Sequence, residues 1–460
     1  MSESNTAGNE GVNAVGGDQK AGWRRGFWSL FATQFQGAFS DNAFKFVVMF
    51  LVMAGMTRDE KDALAPVIGA VFALPFILFS MIGGILADRY SKRSIAVTTK
   101  IAEVGIMSLA LVGLYTQQIW LLVLVVFLMS TQSAFFGPSK YGLLPEMLPE
   151  SRLSWGNGYI SLGTFVAIIL GTVVAGQLSE RFQESLWIPG ALLVVLAGVG
   201  LSTSLGIKRV PAANPSRPIR LNFIPEMGRQ IRKIRKDRSL FLAIVGDAYF
   251  LFLGAIIQLT VLFYGKETLG LADSQISYLM GALAIGIGIG SFLAGYLSEG
   301  KIEYGLVPLG SIGMTLACFA MMVPGADFGR VFLILIGLGI AGGFFVVPLA
   351  AMIQHRPDPK EKGSVIAIDS IMAFCGVFVA SIVYYGYKQV IGLSDLQVFF
   401  ACGITTLVGS AYAIYLLPDA LLRLPSARLH PHDLPNQDRR TVKCARAGRG
   451  LVGVESSLLC

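Results

Sequence analysis

The chain is 460 residues long, 54% hydrophobic and only 14% charged, with 53 glycines and 30 phenylalanines. Soluble domains carry about a quarter charged residues, so the composition excludes an ordinary soluble enzyme and implies an all-α polytopic membrane protein. The net charge of +8 does not point to nucleic acid, because the positive residues collect in particular loops, as membrane topology requires.

Residues 1–22 are polar, rich in Gly, Ser and Asn, and lack an apolar core, so they read as a disordered tail and not a signal peptide. A helix needs about 20 apolar residues to cross the hydrocarbon. On that ruler twelve spans are expected, near 26–53, 64–87, 95–115, 118–136, 156–179, 185–206, 240–265, 275–298, 304–324, 330–353, 364–386 and 396–417. They divide into an N-terminal six-helix half over 23–206 and a C-terminal half over 240–417, joined by a basic linker at 207–239. Residues 418–460 are polar, rich in Pro and Arg, and read as a second disordered tail. Five cysteines (Cys318, Cys375, Cys402, Cys444, Cys460) show no metal-ligand spacing. No metal or other cofactor is expected.

The loops set the orientation. The stretch "IKRVPAANPSRPIRLNFIPEMGRQIRKIRKDRS" holds ten Lys and Arg against Glu226 and Asp237. "DRYSKRS" and "RPDPKEKG" fall on the same side by parity, whereas loops of the opposite parity are short and poor in positive charge. The positive-inside rule puts the linker and both termini in the cytoplasm.

An internal repeat joins the halves. "SMIGGILAD" at 80–88 matches "SFLAGYLSE" at 291–299, and "FFGPSKYGLLPEMLPESR" from Phe135 matches "FVVPLAAMIQHRPDPKEK" from Phe345. Two parallel six-helix repeats are the plan of one large class of transporters. Between the second and third segments stands Gly84-x-Leu86-Ala87-Asp88-Arg89-x-Ser91-Lys92-Arg93. This resembles the signature of the major facilitator superfamily, G-x-L-A-D-R-x-G-R-[KR], with Ser91 in place of a glycine. The resemblance implies a gating loop: Gly84 for close helix packing, Asp88 to hold a partner in the other half, and the basic cluster of Arg89, Lys92 and Arg93 to grip the cytoplasmic rim. The second copy keeps Gly295 and Glu299 and loses the arginine. A charged turn that only anchors topology is the alternative.

Polar residues inside apolar runs mark the candidate site, because a charge deep in lipid is costly. The first segment carries Asp41, Asn42 and Lys45 in "GAFSDNAFKFVVMF". A ligand with an amine and a phosphate suits them: Asp41 for an ammonium, Asn42 for hydrogen bonds, Lys45 for a phosphate. Asp41 and Lys45 are also four apart and could simply pair on one helix face. Lys140, in Pro138-Ser139-Lys140-Tyr141-Gly142, reads as a phosphate contact, an interlock with Glu146, or a snorkelling lysine. Lys100 and Glu103 read as a structural pair. Asp247 and Gln258 in the seventh segment and Asp369 in the eleventh complete the set.

Three stretches together, "FSDNAFKF", "GPSKYGLLPEMLP" and "GGFFVVPLAAMIQ", are similar to the bacterial lysophospholipid transporters, over about residues 26–418. The resemblance implies a major facilitator fold and translocation of lysophosphatidylethanolamine-like lipid across the bacterial inner membrane by alternating access, without catalysis. It also implies that the acid at Asp41 matters for transport, and that Gln258 stands where some relatives carry arginine. Its partners would be the lysophospholipid substrate, membrane lipids, and an acyltransferase/acyl-carrier-protein synthetase acting downstream. Such transporters are often fused to that enzyme, and "LPDALLRL" looks like the start of a junction, so the tail is expected to be a truncated or frame-altered remnant. Proton-coupled efflux of amphipathic drugs, with Asp41 or Asp369 protonated, is the second reading. A membrane scaffold acting through a partner enzyme is the third.

Overall fold

A computed structural model describes residues 23–149, 152–212, 215, 224–298, 305–323, 325, 327–357 and 362–416. Both tails and Glu299 lie outside the described residues. Lipid offers the backbone no hydrogen bonds, so each apolar run closes its own as a helix. The N-terminal half comprises α1 (Trp23–Gly55), α2 (Arg58–Arg89), α3 (Lys92–Thr116), α4 (Ile119–Met147), α5 (Leu153–Arg181) and α6 (Trp187–Leu205). After α7 (Ile224–Ile234), the C-terminal half comprises α8 (Arg238–Phe263), α9 (Asp273–Leu297), α10 (Leu306–Ala320), α11 (Phe328–His355), α12 (Lys362–Tyr385) and α13 (Asp395–Leu416). Ten of these helices are long and apolar enough to cross a membrane, and α10 and α13 complete the twelve as shorter apolar helices.

The expected spans and the observed ones agree except at two places. The fourth apolar run ends at 136, yet α4 continues to Met147 through Pro138 and Pro145. Neighbouring helices hold the segment helical where isolated prolines would break it. The basic linker also contains α7. Its Ile234 is buried and Ile231 packs on the core, while Arg229, Arg232 and Lys233 face solvent. That is the pattern of a short helix lying on a bundle.

Pairings repeat between the halves. In the first, α1 packs on α5, α2 on α4, α3 on α4 and α3 on α6; in the second, α8 on α12, α9 on α11, α10 on α11 and α10 on α13. Without a hydrophobic drive in lipid, close approach rests on small residues. On the α9–α11 seam a Cβ at Gly290 would strike the Ile340 carbonyl, and one at Gly343 would strike the backbone of Gly290 and Ser291.

The halves meet along two seams, α2 on α12 and α5 on α9. Many contacts lie at the end away from the chain termini, here the far end. There Gln177 Nε2 donates to Tyr278 Oη (2.7 Å), the Ser274 N–H donates to Glu180 (3.2 Å), Gln389 Nε2 donates to the Asp59 carbonyl (3.0 Å), and Arg58 pairs with Glu267 (3.8 Å). Further along the α2–α12 seam, Phe76 stacks flat on Phe374 with centroids 4.0 Å apart.

Candidate functional site

Asp41 stands near the middle of α1 and is buried. Its Oδ2 accepts a 2.6 Å hydrogen bond from Ser133 Oγ on α4, while its buried Oδ1 has no partner among the described residues. A buried polar atom left unpaired is costly, so this oxygen is available to accept from a donor. Lys45, one turn along, does not pair with Asp41. Its Nζ donates across the interface to Gln258 Oε1 of α8 at 3.4 Å, between the rings of Phe46 and Phe72, each 4.8 Å away. Asn42 spends its amide on its own helix, donating to the Ala38 carbonyl at 2.9 Å. The structure therefore brings Asp41, Lys45 and Gln258 together near mid-bundle, with Gln258 from the opposite half.

Behind Asp41 lies a second buried set. Lys100 and Glu103 of α3 form an ion pair of 2.6 Å at 1% and 0% side-chain exposure. Gln36 of α1 bridges it, accepting from Lys100 Nζ at 2.7 Å and donating to Glu103 Oε1 at 2.8 Å and to Ser40 at 2.8 Å. Gly200 of α6 leaves the space for the Gln36 amide. Both charges sit within electrostatic reach of Asp41. This mutually bonded pair fits the structural reading of Lys100 and Glu103, and the structure adds Gln36 beside it and Ser133 beside Asp41. Neither stood out in sequence, because a lone Gln or Ser in a membrane helix has many uses.

Lys140 is buried on α4, seven residues from Ser133 toward the termini, with its Nζ 4.5 Å from the Tyr141 ring centroid. Its expected interlock with Glu146 does not form. Glu146 is taken by Lys92 of α3, which reaches it across the α3–α4 contact. Asp369 of α12 has a buried Oδ1 without a partner among the described residues, and Asp247 of α8 lies within its electrostatic reach. Asp247, Asp369 and Lys140 each lie about two turns in from the terminal end of their helices, α8, α12 and α4. The structure does not join them to Asp41.

The signature loop is corrected at its glycine. A Cβ at Gly84 would meet nothing, whereas one at Gly83 would lie 2.9 Å from the Ala134 carbonyl and 3.2 Å from Phe135 Cα. Gly83 and Ala87, both buried, share the face that packs on α4, and one residue of helix turns Gly84 about 100° away from it. The second copy repeats this, with Ala294 buried and Gly295 in open space. Arg93 donates to the Ile207 carbonyl (2.7 Å) and the Leu205 carbonyl (3.0 Å), tying α3 to the end of α6. Lys92 and Arg93 thus grip their own half. Asp88 and Arg89 are half-buried at the end of α2.

Two further ion pairs were missed in sequence. After α8 and α12 the chain makes a π-helical turn (Tyr264–Thr268 and Gly386–Val390), then a glycine with positive φ, Gly270 at 62° and Gly392 at 75°. Lys266 pairs with Asp273 at 2.5 Å, and Lys388 with Asp395 at 2.7 Å. The shared pattern, K-x2-[LI]-G-L-x-D-x-Q, is legible in "KETLGLADSQ" and "KQVIGLSDLQ", at a spacing unrelated to the six-helix repeat. Asp62 of α2 is within electrostatic reach of Lys388 and Asp395, so this far-end cluster touches both halves.

Two pseudo-equivalent six-helix halves, meeting around buried charges that both contribute, define a membrane transporter of the two-half type. The sequence agrees: residues 30–381 match the family model of the Major Facilitator Superfamily, and the chain belongs to that family. It is 28% identical over 363 residues to the lysophospholipid transporter LplT of Salmonella typhimurium, covering 76% of this chain and 84% of the relative. Among solved structures it resembles a POT family transporter in complex with 5-aminolevulinic acid (TM-score 0.66, 14% identity, 86% of this chain and 96% of that one). It also resembles the human organic anion transporter MFSD10 (TM-score 0.66, 12% identity, 85% and 99%).

Proposed function

We propose that this protein translocates lysophospholipid, of the lysophosphatidylethanolamine type, across the bacterial inner membrane by alternating access. The observation that carries the reading is the mid-bundle set of Asp41 and Lys45 facing Gln258 of the opposite half. Opposite charges held one turn apart but unpaired match a zwitterionic headgroup: the free Asp41 oxygen receives an ammonium, and Lys45 with Gln258 receives the phosphate. The Salmonella relatives named as lysophospholipid transporters support the same substrate. Loop charge supports cytoplasmic termini, which makes the contacts at the far end an outer seal. Lys140 and Asp369, nearer the termini, would meet the headgroup later on its path. In the signature loop, Asp88 and Arg89 would act when the terminal ends of the halves approach. Product on the cytoplasmic side would be open to a downstream acyltransferase.

The test is flipping of labelled lysophosphatidylethanolamine from the outer leaflet of proteoliposomes. Protein-dependent flipping that is lost in Asp41→Asn supports the reading, and flipping that persists in that variant removes Asp41 from the site. The buried Asp369 Oδ1, without a partner among the described residues, favours one second reading, proton-coupled efflux. Absence of flipping together with drug-driven proton release would select it.

A further inference from the structure

A cavity of about 240 Å³ opens at the terminal end of the N-terminal half, lined by Trp23, Arg24, Trp28, Arg152 and Trp155. It is built by two helix starts, the first turns of α1 and the beginning of α5, where Arg152 is the N-cap. The walls are aromatic and mutually braced. Trp23 and Trp155 meet edge to face at 5.8 Å, Trp28 and Trp155 at 6.3 Å, and Trp155 leans on Tyr159 at 4.5 Å. Arg24 lies over the Trp23 ring at 5.8 Å. Both arginines are exposed, and neither has an acidic partner among the described residues.

Indole belts alone anchor helices at the interface; here two arginines line the same aromatic cup. Two like charges drawn to one aromatic cup repel each other until an anion lies between them. Guanidinium forks match phosphate geometry, and the α5 N-terminus adds its partial positive charge. From the cup an apolar stripe runs along one face of α5: Tyr159, Leu162, Val166 and Leu170, spaced three or four residues apart, are 40%, 61%, 38% and 44% exposed. A phosphate at the mouth and an apolar track leading into the hydrocarbon describe a lipid and not a soluble ion.

We propose that the α1–α5 cup binds an anionic glycerophospholipid, its phosphodiester between Arg24 and Arg152 and its acyl chain along the α5 stripe. A net-negative headgroup is preferred, because the ammonium of a zwitterionic one would face two cations. The site stands apart from the mid-bundle set and is independent of the substrate assigned to it.

Five tryptophans make the test direct, since three line the cup and the others, Trp120 and Trp187, start α4 and α6 at the far end. The full chain carrying Trp120→Phe and Trp187→Phe is placed in phosphatidylcholine nanodiscs with rising fractions of chain-brominated phosphatidylglycerol, and tryptophan quenching is followed. Quenching is expected to saturate at a several-fold lower fraction than with brominated phosphatidylcholine. Adding Arg24→Gln and Arg152→Gln, both at exposed positions, is expected to abolish that preference while the melting temperature holds. Equal quenching by the two lipids overturns the proposal, as does a preference that survives loss of both arginines. Displacement of the brominated lipid by soluble glycerol phosphate also overturns it, because the cup would then be a phosphate site without a lipid requirement.

Discussion

The two halves share a helix plan but bury charge in different places. In the N-terminal half the charge lies mid-bundle, where Lys100, Glu103 and Gln36 bond one another behind Asp41. In the C-terminal half it lies at the far rim, in the Lys266–Asp273 and Lys388–Asp395 pairs. The terminal rims differ as well. Lys92–Glu146 at 7% and 24% side-chain exposure ties the first half, whereas the second is tied by Arg356–Asp237 at 43% and 34%. The pattern suits the proposed reading, in which the first half holds the headgroup wall in one shape and the second half sets when the far end closes. Paired charges stiffen a wall, and an acid left with a free oxygen is available to a ligand.

The largest test strikes the stiff wall. Lys100→Met leaves Glu103 buried and uncompensated, a loss of about 3–5 kcal/mol for breaking one side of a buried pair. It is expected to lower both the melting temperature and transport. Lys100→Met with Glu103→Leu should recover most of the stability, because an apolar replacement of a buried pair is often neutral. If the double variant also regained full transport, the network would be packing alone and the contrast between the halves would weaken.

Asp41→Asn sharpens the contrast from the other side. It removes charge and keeps shape, so flipping should fall to background while melting temperature and membrane insertion stay near those of the parent. A large loss of stability would instead make Asp41 part of the wall. The rim pairs come next. Lys388 is 3% exposed and Lys266 is 26% exposed, so Lys388→Met should cost more stability than Lys266→Met. The reverse order would mean that the shared motif does not behave according to burial.

The sequence made the helices legible for a physical reason. In lipid a run of apolar residues has no option but to bond its own backbone, so twelve runs became twelve helices. Helix ends were harder: α4 outlasts its apolar run because neighbours support Pro138 and Pro145. Asp41, Lys45 and Gln258 were visible as polar residues where lipid penalises them. Their partners were not visible, because partners are chosen by tertiary packing. Lys45 bonds a glutamine 213 residues away in sequence in preference to the acid one turn before it. Glu146 is claimed by Lys92 before Lys140 can reach it. A single residue separates Gly83, which packs, from Gly84, which does not, and only the phase of α2 distinguishes them. The K-x6-D pairs were present in plain text, but at a spacing unrelated to the six-helix repeat.

The smallest expected effect is at the exposed rim pair, and pH reads it. Partial burial alone would raise the Asp237 carboxyl, but the Arg356 hydrogen bond at 2.6 Å and the Leu240 N–H at 3.2 Å outweigh it and hold the group below its ordinary 3.8. A depressed acid contributes stability that is fully present above the unfolded value and is lost as pH falls through the folded one. With both side chains over a third exposed, solvent screening limits the contribution to about 1 kcal/mol or less. Asp237→Asn keeps a good N-cap for α8 and removes only the charge. Its melting temperature should sit slightly below the parent's near neutral pH. The gap should close as pH drops below the ordinary aspartate value. A gap that widened toward low pH would reverse the sign, and would place Asp237 with the buried acids of the first half instead of on an exposed rim.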